Sequence, residues 1–228
     1  VSPDYDKHFF SHTKEPWIFS TDTPQLVKHM SVTLPDHVGL RLGCHLVSYT
    51  INPEEEYPVH IIYKQNGDSE KKELKAKFLV GADGADSTVA KLHPKLSTNK
   101  KYLIGYEKVF YGDITFGDHP ESTVYHFWFG AFSLGYGGWL SPTTIGGKKA
   151  FRLGLAKLKE DANGLQKINN FIEILKNKNI IKIESDNDKE LVSFGHIIPI
   201  GGVLPKIHDH NVMLLGDAAG FCGAFAAD

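Results

Sequence analysis

The chain has 228 residues, 41% of them hydrophobic, enough for one or two domains with packed cores. Its 25 basic and 27 acidic side chains are dispersed and leave a formal charge of −2, which argues against a nucleic-acid surface. Two cysteines, Cys44 and Cys222, give no disulfide framework and fit a reducing, cytoplasmic compartment; no apolar run reaches the ~18–20 residues that cross a bilayer.

Residues 1–21 are polar and aromatic without a clear period and read as loop or a short strand pair. Pro24 after Thr23 predicts a helix from about 24 to 33, stopped by Pro35. A strand follows over 39–51. Segments 58–64 and 73–80 flank Asn66-Gly67, a hairpin signature, and the alternating charges of 68–77 mark its solvated edge. The run at 76–81 feeds the turn Gly81-Ala82-Asp83-Gly84, after which Ser87 is placed to cap a short helix over 88–92. Asp83 has two readings here, turn stabilisation alone or cofactor binding.

Beyond residue 100, strand-like segments at 102–114, 122–129, 132–140 and 149–157 are rich in aromatics and separated by Gly or Pro, which implies an antiparallel sheet. Leu165, Ile168, Phe171, Ile172 and Leu175 recur three or four apart and predict one amphipathic helix over 164–178. A strand returns at 191–200. Then Val212-Met-Leu-Leu215, a buried strand, runs into Gly216-Asp217-Ala218-Ala219-Gly220. Small residues there admit a close approach to the backbone, and a following helix would aim its free N–H groups at the same point. A carboxylate for sugar-type hydroxyls beside an anion-binding helix start suits a dinucleotide; a plain strand-to-helix turn with a capping Asp is the other reading.

Gly-Ala-Asp-Gly-x-x-Ser-x-Val followed more than a hundred residues later by Gly-Asp-Ala-Ala-Gly resembles the flavoprotein monooxygenase superfamily. The likeness is greatest to its geranylgeranyl reductase-like branch. Hydroxylases of the superfamily usually carry His after Asp-Ala-Ala, whereas this chain has Gly220 and Phe221, as the reductases do. Residues 135–142, Gly-Tyr-Gly-Gly-Trp-Leu-Ser-Pro, are similar to the reductases' Gly-Tyr-x-Trp-x-x-Pro segment with one extra residue. The superfamily's opening Gly-x-Gly-x-x-Gly turn does not occur here, so the sequence reads as an internal piece of a longer protein.

The resemblance implies a mixed α/β fold: part of a Rossmann-like FAD-binding domain (1–100 and 188–228) with an inserted antiparallel substrate-binding sheet (101–187). It implies FAD as cofactor, with NAD(P)H or another reductant as electron donor. Asp217 would bind hydroxyls of the flavin's sugar-like chain, with Gly216 and the backbone of Ala218, Ala219 and Gly220 at the pyrophosphate and flavin O2. Asp83 and Gly84 would face the pyrophosphate, the Leu46 backbone the adenine edge, and Gly223 the ring. Where the family has Pro before its last glycines, this chain has Cys222.

Tyr136, Trp139, Phe127 and Phe129 would line a channel for a hydrophobic small-molecule substrate, although the same aromatics would equally make a sheet core. Arg152 reads as facing solvent, Cys222 as a small packing residue. His208-Asp209-His210 lacks further ligands at metal-site spacing, so no metal is expected. No catalytic acid or base is identified.

The activity implied is reduction of carbon–carbon double bonds in an isoprenoid or other lipid-like substrate, with peripheral membrane association compatible with it and the oligomeric state left open. The rivals are an FAD monooxygenase hydroxylating an apolar or aromatic substrate, and a non-catalytic fragment unable to hold flavin alone.

Overall fold

A computed structural model describes residues 7, 9, 21–115, 126–128, 137–158, 164–184 and 192–223. The chain divides into two compact units. One comprises 35–102 with 197–228; the other comprises 1–34 with 103–196.

The first unit begins with a three-stranded antiparallel meander, β1 (Cys44–Ile51), β2 (Val59–Gln65) and β3 (Lys71–Ala76). The Asn66-Gly67 turn joins the last two, Gly67 taking the left-handed conformation (φ 81°) that the hairpin needs. β1 is shorter than the 39–51 read from sequence. Gly43, at φ 68°, ends the preceding turn, so pairing starts only at Cys44. The 73–80 run also divides. It leaves the meander at Ala76 and re-enters a different sheet as β4 (Leu79–Gly81).

In that second sheet the order is β11–β12–β4. Here β11 (His208–Asp209) is antiparallel to β12 (Val212–Leu214), and β12 is parallel to β4 with Val212, Met213 and Leu214 opposite Leu79, Val80 and Gly81. Helix α2 (Thr88–Leu92) packs on one face through Val89 and Ala90, with Leu96, Val212, Leu214, Ala218 and Ala219 completing the core. Gly81 makes this possible: a Cβ there would lie 2.8 Å from Val89 Cβ and 2.9 Å from Leu214 Cδ2. The opposite face carries Val80 and Met213 side by side, 46% and 45% exposed. Parallel strands are ordinarily covered on both faces, so this apolar pair is notable.

The other unit holds α1 (Thr23–Val32), started by Asp22 accepting from the Gln25 N–H, and most of a six-stranded, mainly antiparallel sheet. Its main order is β10 (Val192–Pro199), β5 (Tyr102–Ile114), β8 (Lys148–Leu158), β7 (Gly137–Ile145), β6 (His126–Trp128). β9 (Ile181–Ile183) pairs with the far end of β5. Gly112 marks that change of partner, since a Cβ on it would collide with the Lys182 carbonyl oxygen. Helix α3 (Gly164–Asn177) buries Ile168, Phe171, Ile172 and Leu175 in a core with Phe110, Leu140, Phe151 and Leu153. The three-and-four spacing of those residues produced the helix, and the same stripe is its buried face. The strands expected at 122–129 and 132–140 fall partly outside the described residues.

Candidate functional site: two glycine–aspartate turns on adjacent strands

Because β4 and β12 are parallel, adjacent and in register, the turns that follow them leave the sheet at the same end. Hydrogen bonding extends this pairing past the last strand residues: Leu215 N–H donates to the Gly81 carbonyl at 2.9 Å. Asp83 and Gly84 on one turn, and Gly216 to Gly220 on the other, are therefore brought together by topology. In open α/β sheets this end of the strands is where ligands bind.

The first turn is organised by Asp83. One carboxylate oxygen accepts from Ser87 Oγ at 2.6 Å; the other accepts from the Thr88 and Val89 N–H groups at 2.7 and 3.1 Å. Ser87 Oγ in turn accepts from the Ala90 N–H at 3.0 Å. A five-residue helix is too short to stand by itself, and these contacts satisfy its open N-terminal donors. Tyr49 on β1 donates its hydroxyl to the Val89 carbonyl at 2.9 Å. Burial, reinforced by the negative Asp83, pushes that hydroxyl's pKa up to about 12. Gly84, at φ 80°, turns the chain between Asp83 and the helix.

The second turn has another construction. Gly216–Ala219 form one 3₁₀ turn, closed by Gly220 N–H to the Asp217 carbonyl and Phe221 N–H to the Gly216 carbonyl. Gly216 and Gly220 have φ 55° and 76°, conformations that favour glycine. A Cβ on Gly220 would also meet the Gly202 carbonyl oxygen. Ala218 and Ala219 are fully buried, whereas the half-buried Asp217 side chain has no hydrogen-bond partner among the described residues. The helix expected after this turn is not formed over 221–223, and residues 224–228 lie outside the described set.

Asn99, a residue that sequence reasoning passed over, ties the turns together. Its Nδ2 donates to the Ala85 carbonyl at 2.9 Å and to the Asp217 carbonyl at 2.8 Å. A single asparagine in a Lys- and Ser-containing connection carries no periodic signal, so nothing in the local sequence pointed to it. A hollow of about 500 Å³ lies along 96–101 and 200–205; Asn99 lines it, but neither aspartate does.

Leu46 sits on β1 just before a bulge and packs beside the first unit's core. Gly223 is exposed and beyond the turn. Of the aromatics, Phe127 and Trp139 are cross-strand partners on β6 and β7, while Tyr136 and Phe129 lie outside the described residues. Trp139 faces Gly154 on β8, which faces Glu107 on β5. Glycine lets the indole lie across the middle strand, where a Cβ on residue 154 would collide with the ring, and its N–H reaches Glu107 Oε2 at 2.8 Å.

Glu107 is 7% exposed, and its Oε1 accepts from Arg152 Nε and Nη2, each at 2.7 Å. Arg152 thus neutralises a buried carboxylate; the solvent-facing expectation is corrected. The pair is diagonal across the ladder, so strand register alone makes it visible.

Asp209, of the His-Asp-His run, is taken up by Lys206 at 3.0 Å, Lys95 at 3.7 Å and His93 at 3.8 Å. Among the described residues no group of three or more possible ligands could hold a metal ion, and neither Cys44 nor Cys222 forms a disulfide there. No helix among them is long and apolar enough to cross a membrane.

This fold is a mixed α/β arrangement with antiparallel sheets, and residues 44–146 match the FAD binding domain family. The chain's relatives include digeranylgeranylglycerophospholipid reductase 3 of Methanosphaera stadtmanae, 26% identical over 200 residues that make up 85% of this chain and 45% of the relative. The chain therefore spans about half the length of that relative.

Similar solved structures include a geranylgeranyl bacteriochlorophyll reductase-like protein from Thermoplasma acidophilum (TM-score 0.60, 15% identity, 78% of this chain and 42% of that one). A flavin-dependent brominase (TM-score 0.60, 16% identity, 88% and 48%) and a flavin-dependent monooxygenase in complex with FAD and substrate (TM-score 0.60, 16% identity, 88% and 33%) share the fold.

Proposed function

We propose that the protein containing this chain is an FAD-dependent oxidoreductase that reduces carbon–carbon double bonds in an isoprenoid or other lipid-like small molecule. The observation that carries this reading is the pairing of β4 with β12, which delivers two glycine–aspartate turns to one end of one sheet. The residues there fit the cofactor. Asp217 has a half-buried carboxylate with acceptor capacity among the described residues, suited to flavin-chain hydroxyls. Gly216, Ala218, Ala219 and Gly220 keep the backbone open to close approach, and Gly84 does so on the neighbouring turn.

Bound FAD supplies hydride-transfer chemistry. The protein's own residues orient it: Asp83 and Ser87 fix the start of α2, and Asp217 is left to meet the ligand. Electrons would come from NAD(P)H or another reductant, and the reaction would occur in the cytoplasm or at a membrane surface. Two features favour reduction over hydroxylation. One is the 26% identity to a lipid reductase across most of this chain. The other is Gly220, whose fit against the Gly202 carbonyl leaves no room for a side chain at that position.

The test supplies the whole protein with FAD, a reductant and a polyprenyl lipid. Each reduced bond should gain a hydride and a proton while the donor loses two electrons, read as added hydrogen by mass spectrometry. Stoichiometric oxygen uptake with a hydroxylated product would reject the reductase assignment in favour of a monooxygenase.

A further inference from the structure

Resting on the flavin reading of the two turns, we infer that Asn99 is a positioning residue that sets their spacing for the cofactor. A primary amide has two N–H donors in one plane, and Asn99 spends one on each turn: Ala85 on the Asp83 side and the Asp217 carbonyl on the other. Both acceptors belong to backbone segments whose order the site requires. The residue is 6% exposed, which strengthens those bonds relative to surface ones.

Its Oδ1 is buried and has no hydrogen-bond partner among the described residues. That oxygen lies 3.4 Å from where a Cβ on Gly220 would stand. Asn99 therefore borders the glycine that closes the second turn as well as clamping the aspartate before it.

The connection carrying Asn99 is itself anchored. Tyr102 donates its hydroxyl to the Asn99 carbonyl at 2.7 Å. Ser97 N–H donates to the Lys206 carbonyl at 2.9 Å, and Ile200 N–H to the Lys101 carbonyl at 3.0 Å. The side-chain amide is thus presented from a fixed backbone. No smaller change keeps its function: aspartate has the shape but only acceptors, leucine has neither, and serine has one donor on a shorter arm.

The test compares Asn99→Leu with Tyr102→Phe in the whole protein. Tyr102→Phe loosens the same connection without touching the amide. FAD affinity is measured by flavin fluorescence at a temperature where both apoproteins are folded by circular dichroism. Backbone hydrogen exchange of 84–86 and 217–220 is followed in the apoproteins. Asn99→Leu should weaken FAD binding on the order of tenfold to a hundredfold, the loss expected for stranding buried hydrogen-bond partners. It should also speed exchange in both turns together, while Tyr102→Phe leaves affinity within about twofold.

Unchanged FAD affinity in folded Asn99→Leu would overturn the inference, as would an equal loss in Tyr102→Phe. If the wild-type protein binds no FAD, the flavin reading fails by itself, and the exchange comparison still decides whether Asn99 couples the turns. Should Asn99→Leu not fold, Asn99→Ser carries the same comparison with one donor kept.

Discussion

The two glycine–aspartate turns leave neighbouring strands at the same end, yet they spend their carboxylates differently. Asp83 gives both oxygens to Ser87, Thr88 and Val89 and so builds α2. Asp217 contributes only its backbone carbonyl to the architecture, accepting from Asn99 and Gly220, and its carboxylate has no partner among the described residues. Similar sequence signals thus divide the labour, one aspartate holding the scaffold and the other keeping its carboxylate unengaged among the described residues. The lesson is that a motif match locates a turn, while the hydrogen-bond inventory assigns its carboxylate.

That contrast makes a series of expectations. Asp83→Ala should have the largest effect, costing about 3 kcal/mol of stability by stranding the first-turn donors of α2, read as a lowered urea midpoint. In Asp217→Ala the apoprotein should keep its melting temperature while FAD binding weakens by roughly 1–3 kcal/mol, measured by flavin fluorescence titration. Were the two substitutions to show the same balance of stability and affinity loss, the division of labour would be wrong. Gly220→Ala should cost about 1–2 kcal/mol of stability through its left-handed backbone and the collision with the Gly202 carbonyl, checked by thermal unfolding of the apoprotein.

The smallest effect is that of pH, and it lies away from the turns. Burial holds the His93 imidazole below its ordinary 6.5, and Lys206 holds the Asp209 carboxyl below its ordinary 3.8. Both groups bind protons more readily in the unfolded chain. Stability should therefore decline as pH falls below about 6.5 through His93, with the Asp209 contribution lost only in stronger acid. Melting curves at pH 7.5 and 5.5 should differ in that direction, and His93→Gln should flatten the difference.

Much of this was legible in the sequence because it depends on neighbours along the chain. Ser87 caps α2, the three-and-four stripe of 168–175 is the buried face of α3, and β5 spans 102–114 as its pattern implied. Both turns were readable too, since Gly and Asp at a strand end have few local solutions. What escaped was set by register between distant segments. Asn99 acquires its role only when Ala85 and Asp217 stand side by side. Glu107, Gly154 and Trp139 become one row only when three strands align, and Arg152 joins them diagonally. The break between β3 and β4 escaped for the same reason, because Leu79–Gly81 is a strand by virtue of its partner β12.

The central claim is that both turns serve one ligand. Backbone hydrogen exchange of the whole protein, with and without FAD, tests it most directly. Residues 83–86 and 216–220 should gain protection together on FAD addition, at the same cofactor concentration. Saturating FAD that protects one turn and leaves the other unchanged would contradict the claim.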